Sequence, residues 1–190
     1  ETEVLPKGML EKQIRLERFT RREFREAREI GQFRAAIIAT GSIEQHLEHL
    51  ALEQDIASST YVAERVAERL HPSVIVAVPM AIGISEHHMK HPGTLTAKPG
   101  SWLAVLFDTI ESLVRHGVNK VLVLNGHGGN VAPVNGVLRQ WRLHLDNTIG
   151  GREAAAGTGE IDLRFHSYWD VISPEFAQQV LETDGYPSHA

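Results

Sequence analysis

The stretch "GSIEQHLEHLALEQD" at residues 41–55 crowds carboxylates and imidazoles together directly after an apolar run. Glu44 and His46 stand two positions apart, so in an extended chain they project to the same side. Asp55 follows at the predicted start of a helix, where a carboxylate can ligate a metal or cap free backbone N–H groups. Glu44 and His46 could equally form an ion pair. These residues alone therefore leave a metal site and a purely structural role open.

A second element of this chemistry is "VLVLNGHGGN", where His127 sits among glycines and asparagines immediately after another apolar run. Such a place is typical of a backbone that turns sharply or approaches a ligand closely. The chain has no cysteine, so any metal must be held by imidazole nitrogen and carboxylate oxygen, which suits Zn²⁺ or Mn²⁺. Two ions would need a bridging carboxylate. His127 thus favours the metal-site interpretation of the first stretch.

The elements that must position these residues follow from hydrophobic periodicity. Short apolar runs ended by turn residues predict buried strands at 34–41, 73–79, 120–125 and 161–169. Apolar residues recurring every three or four positions predict helices at 57–70, 101–116 and 131–145. Thr20 and Glu23 have capping-box spacing, which predicts a further helix from that point. Residues 150–160 have the composition of a flexible surface loop.

Strands alternating with helices predict a doubly wound α/β domain with a mainly parallel sheet flanked by helices. Ligand sites in such sheets lie outside the carboxyl ends of the strands. Each of the first three strands is followed by a polar segment: "GSIEQH", "GISEHHMKHPGT" and "NGHGGN". We therefore expect these three loops to meet at one edge of the sheet.

Composition excludes several classes of protein. The 190 residues suffice for one domain with a real core, and the net charge of −5 provides no basic field for nucleic acid. No apolar stretch approaches the ~18 residues that span a bilayer, so we expect no membrane partner. The absence of cysteine fits a reducing compartment, and the expected location is the cytoplasm.

Three ordered motifs resemble those of the creatininase family of metal-dependent amidohydrolases. "EQHLEHLALEQD" is similar to the family pattern Glu-Gln-His-Gly-Pro-His-Leu-Pro-Leu followed by two residues and Asp. "SEHHMKHPGT" is similar to Ser-x-Glu-His-x-x-Phe-Pro-Gly-Thr, and "NGHGGN" matches the third motif in full. The resemblance is strong over residues 34–130 and weaker over the remainder. It implies a single creatininase-like domain over residues 1–190, with three layers around a mainly parallel sheet.

The resemblance further implies a two-metal site that activates water to hydrolyse a small amide. In that assignment Glu44 and His127 hold one ion, His46 holds the other and Asp55 bridges them. Zn²⁺ and Mn²⁺ are the expected ions, and Fe²⁺ also fits. His189, near the end of the chain, is the expected acid that protonates the departing nitrogen, and Glu44 is counted with it as catalytic. Relatives commonly form homo-oligomers, often hexamers, so we expect a homo-oligomer that acts on a small-molecule substrate.

Other residues of the motifs are expected to bind substrate or to support the ligands from outside: His49, His87, His88, His91, Asn125 and Asn130. His87 stands where the family pattern has Glu, and His91 where it has Phe. These imidazoles indicate either a substrate more polar than creatinine or simple cover at the edge of the site. Leu47 and Glu48 replace the Gly-Pro of the first motif, which reshapes that loop.

The last metal ligand departs from the family pattern. Some relatives supply a Glu at the position of Gly129, and others supply it from a motif near the carboxyl end. This sequence breaks off inside that motif, so we expect either an incomplete chain or a second ion with fewer protein ligands. Three functions consequently stay open: an amidohydrolase, a hydrolase that opens a polyhydroxylated cyclic ketone such as a keto-inositol, and a non-catalytic metal-binding subunit.

Overall fold

The computed structural model describes residues 13–150 and 160–176. Its strands are β1 (Ala35–Thr40), β2 (Val74–Val76), β3 (Lys120–Asn125) and β4 (Asp162–Ser167). Its α-helices are α1 (Arg21–Glu29), α2 (Gln54–Arg69), α3 (Pro99–Arg115) and α4 (Val131–Leu145). Short 3₁₀ turns at Glu86–His88 and Gly128–Asn130 lie in the loops that follow β2 and β3.

The four strands form one parallel sheet in the order β2-β1-β3-β4. The predicted α/β fold with a parallel sheet is confirmed. Ile38 pairs with Val123, and Thr40 at the end of β1 pairs with Asn125 at the end of β3. This register brings the loops after β1 and β3 to the same edge of the sheet.

Helices cover both faces of the sheet, as the alternation of side chains along the strands requires. On one face, buried residues such as Ile38 and Val123 pack with Leu106 and Ile110 of α3 and with residues of α1 and α4. On the other face, Ile37 and Ala39 of β1 pack with Ala63 and Ala67 of α2. The result is a three-layer arrangement with a core on each side of the sheet.

Most predicted elements agree with the structure to within a few residues. The capping box of Thr20 and Glu23 is present at the start of α1. Helix α2 begins at Gln54 rather than at 57, which places Asp55 inside its first turn. Strand β2 ends at Val76, before Pro79, which lacks the N–H needed to extend a ladder. Residues 151–159 of the expected surface loop lie outside the described residues.

The outer side of β2 is covered by the segment before α1. The Val76 N–H donates to the Ile14 carbonyl at 2.7 Å, and Arg15 forms an isolated parallel bridge with Val76.

Among the described helices, none has the length and apolarity needed to cross a membrane.

Candidate metal centre

Four titratable side chains from separate segments are buried together at the carboxyl edge of the sheet. Glu44 and His46 lie in the loop after β1, Asp55 in the first turn of α2, and His127 in the loop after β3. Each is at most 6% exposed. Charged groups are rarely buried unless they are paired or coordinate a metal. The prediction that the polar loops meet at this edge is confirmed.

The loop after β1 is held by backbone contacts on both of its sides. The Glu44 N–H donates to the Leu52 carbonyl at 3.0 Å, which closes the loop on itself. The Leu95 N–H donates to the Ile43 carbonyl at 2.9 Å, which joins this loop to the loop after β2. Leu47 adopts a positive φ of 58°, a conformation that favours glycine and that lies where the family pattern has Gly. The turn after His46 therefore holds a leucine in a conformation that glycine adopts more readily.

Asp55 is placed by close approach of two glycines to its own backbone. A β-carbon at Gly126 would stand 2.3 Å from the Asp55 carbonyl oxygen, and one at Gly41 would stand 2.8 Å from the Asp55 carbonyl carbon. Any side chain at either position would push α2 away from the sheet edge. Both glycines are therefore needed to bring the Asp55 carboxylate beside the loops after β1 and β3.

His127 is positioned by two buried asparagines of its own motif. The Asn125 side-chain amide donates to the His127 carbonyl at 2.7 Å, and its oxygen accepts the His127 N–H at 3.2 Å. Asn130 donates to the Gly41 carbonyl at 3.2 Å and accepts the Ile84 N–H at 3.1 Å. These amides tie the loops after β1, β2 and β3 to one another.

Asp55 lies between the two imidazoles and presents one oxygen to each. His46 Nε2 is 3.0 Å from Asp55 Oδ1, and His127 Nδ1 is 2.9 Å from Asp55 Oδ2. His127 Nδ1 is also 3.2 Å from Glu44 Oε1. The carboxylate of Asp55 thus has the position of a bridge.

The far nitrogens of both rings contact backbone carbonyls. His46 Nδ1 is 3.1 Å from the Glu44 carbonyl oxygen, and His127 Nε2 is 3.1 Å from the Ile84 carbonyl oxygen. Because a carbonyl oxygen only accepts, these nitrogens carry the protons. In the neutral rings the inner nitrogens then present lone pairs to Asp55. Metal-binding histidines commonly have this arrangement, in which an outer N–H fixes the tautomer.

The electrostatics of the pair Glu44 and His127 reflect this crowding. Burial favours the uncharged carboxyl of Glu44, but interactions with His127, Ser85 and His88 together outweigh burial and lower its pKa to about 2. Burial likewise favours the neutral imidazole of His127, but Asp55 and Glu44 outweigh burial and raise its pKa to about 9. In the protein without metal, His127 is therefore doubly protonated and positively charged at neutral pH.

The donor set fits a divalent cation. Asp55 Oδ2 and His127 Nδ1 are both buried and lie 2.9 Å apart. A lone pair that faces a carboxylate oxygen needs a cation between them, and a metal ion can replace the proton. Ligand atoms lie within 4.8 Å of one another in two groups, Glu44 with His46 and Asp55, and Glu44 with His87 and His127. Oxygen and imidazole donors without sulfur suit Zn²⁺ or Mn²⁺.

The remaining predicted site residues differ in their placement. His88 Nε2 is 3.9 Å from Glu44 Oε1, and Gln45 Nε2 lies 3.2 Å from His88 Nδ1. His87 is exposed and its ring stacks on that of His127, while His91 is partly buried with its ring 6.2 Å from that of His88. His49 is exposed in the turn after His46, which does not support a role in orienting a buried ligand. His189 lies outside the described residues.

Sequence reasoning missed two buried serines at the site. Ser85 Oγ is 3.2 Å from His127 Nε2 and 2.5 Å from Ser42 Oγ. Both hydroxyls are fully buried. Ser85 stands at the first position of the second motif, so the motif itself was the signal. Ser42 is visible only in the fold, because the loops after β1 and β2 must meet before the two hydroxyls become neighbours.

Comparison with known proteins identifies a protein family that this chain matches. The family model described as "Creatininase: Creatinine amidohydrolase" matches residues 17–190. The mycofactocin precursor peptide peptidase of Mycobacterium ulcerans is 32% identical over 152 residues, which cover 73% of this chain and 58% of the relative. The creatinine amidohydrolase of Pseudomonas putida is 26% identical over 159 residues, which cover 79% of this chain and 56% of the relative. The chain thus spans less than two thirds of the length of these relatives.

A third relative is the 3-dehydro-scyllo-inosose hydrolase of Thermotoga maritima, 34% identical over 93 residues that cover 48% of this chain and 29% of the relative. Among solved structures, a creatinine amidohydrolase superposes with a TM-score of 0.76 at 24% identity and covers 94% of this chain and 67% of its own. A manganese form of creatininase gives a TM-score of 0.75 at 23% identity, over 93% of this chain and 66% of its own. These structural similarities establish the common fold.

Proposed function

Because this chain belongs to the creatininase family, we propose that it is a divalent-metal-dependent amidohydrolase that hydrolyses a C–N bond of a small cyclic or linear amide. The observation that carries the proposal is the convergence of Glu44, His46, Asp55 and His127 in one buried cluster. A family relationship indicates the chemistry, whereas the cluster supplies the groups that would perform it.

We divide the cluster between two ions by the two oxygens of Asp55. Oδ1 faces His46 and Oδ2 faces His127, so the carboxylate would bridge one ion on each side. Glu44 Oε1 lies beside His127 and would complete that side. The outer N–H groups of both rings donate to carbonyl oxygens and would keep the inner nitrogens aimed at the ions.

Divalent metal held by these residues would lower the pKa of a bound water and polarise a substrate carbonyl. The chain's own residues would then orient the amide and supply protons. His88 faces the Glu44 carboxylate and is oriented by Gln45, so it is placed to contact a substrate above the cluster. We assign to His189 the protonation of the departing nitrogen, which an amide needs before it can leave.

The names of the relatives favour a C–N bond as the target. One relative is a peptidase and another a creatinine amidohydrolase. A peptide bond and a cyclic amide both require attack at a carbonyl carbon and protonation of nitrogen. The names of these relatives also favour a catalytic role over that of a non-catalytic subunit, which would hold metal without turnover.

Metal loading combined with substitution of one ligand tests the proposal. We expect the purified protein to bind Mn²⁺ or Zn²⁺ and to hydrolyse members of a panel of cyclic amides and short peptides. Glu44→Gln should lower both the affinity for metal and the turnover by at least about 100-fold, because it removes a charged ligand. Glu53→Gln is the matched control, since Glu53 is exposed at the start of α2. A protein that binds no metal, or a Glu44→Gln variant that equals the control, would contradict the proposal.

A second candidate keeps the metal site and changes the bond. The rim carries His87, His91 and Glu48, which suit the hydroxyl groups of an oxidised inositol, and one relative is an inosose hydrolase. Assaying keto-inositols beside the amides separates the two candidates. Turnover of the ketones alone would establish this second function, and turnover of the amides alone would exclude it.

Assembly, domain limits and location are proposals of the same kind. We propose a single creatininase-like domain over residues 1–190 that forms a homo-oligomer, with a hexamer as the expected state, in the cytoplasm. Light scattering on the purified protein measures the oligomer directly, and a monomer at micromolar concentration would exclude it. Fractionation of the source cells tests the location.

A further inference from the structure

Position 129, which is a glycine, has no room for a side chain that could act as a metal ligand. A β-carbon there would stand 2.2 Å from the Ile84 carbonyl oxygen and 2.4 Å from His127 Nε2. Real β-carbons do not approach other atoms so closely. In this arrangement of loops, position 129 therefore cannot supply a side chain of any kind, a carboxylate included.

The space above Gly129 is occupied by a side chain from another loop. The same β-carbon would lie 3.0 Å from Cε1 of His87, which belongs to the 3₁₀ turn after β2. The His87 ring is nearly parallel to that of His127, with an angle of 8° between planes and 5.7 Å between centroids. His87 thus covers the open side of the cluster next to His127.

One ring nitrogen of His87 lies close enough to the cluster to share an ion with it. It lies with one ligand atom each of Glu44 and His127 in a group whose members are all within 4.8 Å of one another. His87 is exposed while the other two are buried, so its ring lies on the solvent side of the cluster. A carboxylate and two imidazoles form a donor set typical of Zn²⁺.

We propose that His87 is a metal ligand of this chain: from the loop after β2 it adds an imidazole to the ion held by Glu44 and His127. The inference rests on the proposed two-metal site. It assigns a direct ligand to a position at which the family pattern has Glu, and it assigns the small residue at 129 to making room for the His87 ring.

Stacking is the competing explanation, since aromatic rings at this separation attract each other without any metal. His87→Phe distinguishes the two, because phenylalanine keeps a flat ring and loses the nitrogen. His87→Ala removes both ring and nitrogen. His116→Phe is the matched control, because His116 is an exposed histidine directly after α3, near the opposite edge of the sheet.

Calorimetric titration of the metal-free protein with Mn²⁺ and with Zn²⁺ measures each ion's affinity without any need for turnover. We expect two ions in the natural protein and in His116→Phe. In both His87 variants we expect the affinity for one ion to fall by at least about 100-fold, since loss of a direct ligand should cost no less than loss of an outer group. Nitrogen NMR of cadmium-loaded, histidine-labelled protein should show three metal-coupled rings, and two in His87→Phe.

Each outcome decides between the alternatives. Two tight ions in His87→Phe, with the same number of coupled rings as the natural protein, would overturn the ligand role and leave the proposed function standing. Weakened binding in His87→Ala alone would overturn it in favour of stacking. A natural protein that binds no ion at all would overturn both this inference and the proposed function.

Discussion

At the scale of single residues, the candidate centre depends on side chains that are small as much as on those that bind. Gly126 lets the end of β3 approach the backbone of Asp55, and Gly129 leaves room for the Ile84 carbonyl and the His127 ring. Their role is to leave space that a side chain would fill, and a motif defined by metal-ligand residues does not include such positions. A substitution that adds one carbon at these positions is therefore more disruptive than its chemistry indicates.

Gly129→Ala should lower the free energy of unfolding by about 1 to 3 kcal/mol, because the added methyl meets the Ile84 carbonyl and the His127 ring. Gly136→Ala is the control. Gly136 lies within α4 with no atom within 4 Å of its missing β-carbon, so alanine there should add about 0.5 to 1 kcal/mol. Urea denaturation of the metal-free proteins measures both. Equal changes in the two variants would contradict the crowding at Gly129.

The pKa of His127 predicts how the metal-free protein responds to pH. The folded state raises this pKa from 6.5 to about 9, so its stabilising effect is complete below pH 6.5 and is lost as the pH rises through 9. The lowered pKa of Glu44 stabilises the fold above pH 4.5 and loses this effect as the pH falls toward 2. Between pH 6.5 and 9 we expect a loss on the order of 2 kcal/mol.

Chemical denaturation across that range, in the presence of a chelator, checks the prediction. His127→Gln should abolish the dependence between pH 6.5 and 9, because the titrating ring is gone. With Mn²⁺ present the trend should reverse, since the metal competes with the proton and binds better as the pH rises. A natural protein whose metal-free stability is constant from pH 6.5 to 9 would contradict the assignment.

At the scale of elements, the candidate centre forms where three loops meet, and the side chains of two asparagines hold these loops together. Asn125 Oδ1 accepts from Thr40 Oγ1 and from Asn130 Nδ2, each at 3.2 Å. Asn130 in turn contacts backbone of the loops after β1 and β2. The sequence predicts that these asparagines either bind substrate or support the ligands. Their buried contacts favour support.

Asn130→Ala should destabilise the protein by at least about 2 kcal/mol, because it leaves the Gly41 carbonyl and the Ile84 N–H buried without this partner. It should also weaken metal binding, since Ile84 fixes the tautomer of His127. Asn135→Ala, at an exposed position of α4, is the matched control and should change neither quantity. Thermal denaturation and metal titration together measure both. Unchanged metal affinity in Asn130→Ala would show that the loops hold without it.

Sequence patterns predict part of this arrangement of loops. Strand periodicity and the rule that sites lie at carboxyl ends of parallel strands predicted the meeting of Glu44, His46 and His127. The start of α2 was placed too late, because Asp55 and Gln54 are polar and hydrophobic periodicity does not include them. Ser42 and the closure over Gly129 could not be predicted, since both arise from contacts between loops far apart in sequence. The motif that contains His49 likewise does not predict that this side chain is exposed.

At the scale of the whole molecule, metal would join the loops after β1 and β3 to α2 across the central strand pair. Metal that binds only the folded state at roughly a thousandfold excess over Kd contributes about 4 kcal/mol to stability. Removing it with a chelator should therefore lower the melting temperature by many degrees. Calorimetry with and without excess Mn²⁺ measures the change, and the Glu44→Gln variant should show little of it. Identical melting with metal and with chelator would contradict a structural contribution of the ions.

The spacing of the four candidate ligands along the chain has a consequence for biosynthesis. Glu44, His46 and Asp55 belong to one continuous stretch, while His127 arrives only after β2, α3 and β3 have been made. On a ribosome the first three emerge together, but the backbone of Asp55 reaches its place only once Gly126 has been made and packed against it. The position beside His127 forms only when β3 has paired with β1. Under the proposed function, metal would therefore bind late in synthesis, after the central strands have paired, and would hold together an arrangement that the backbone has already formed.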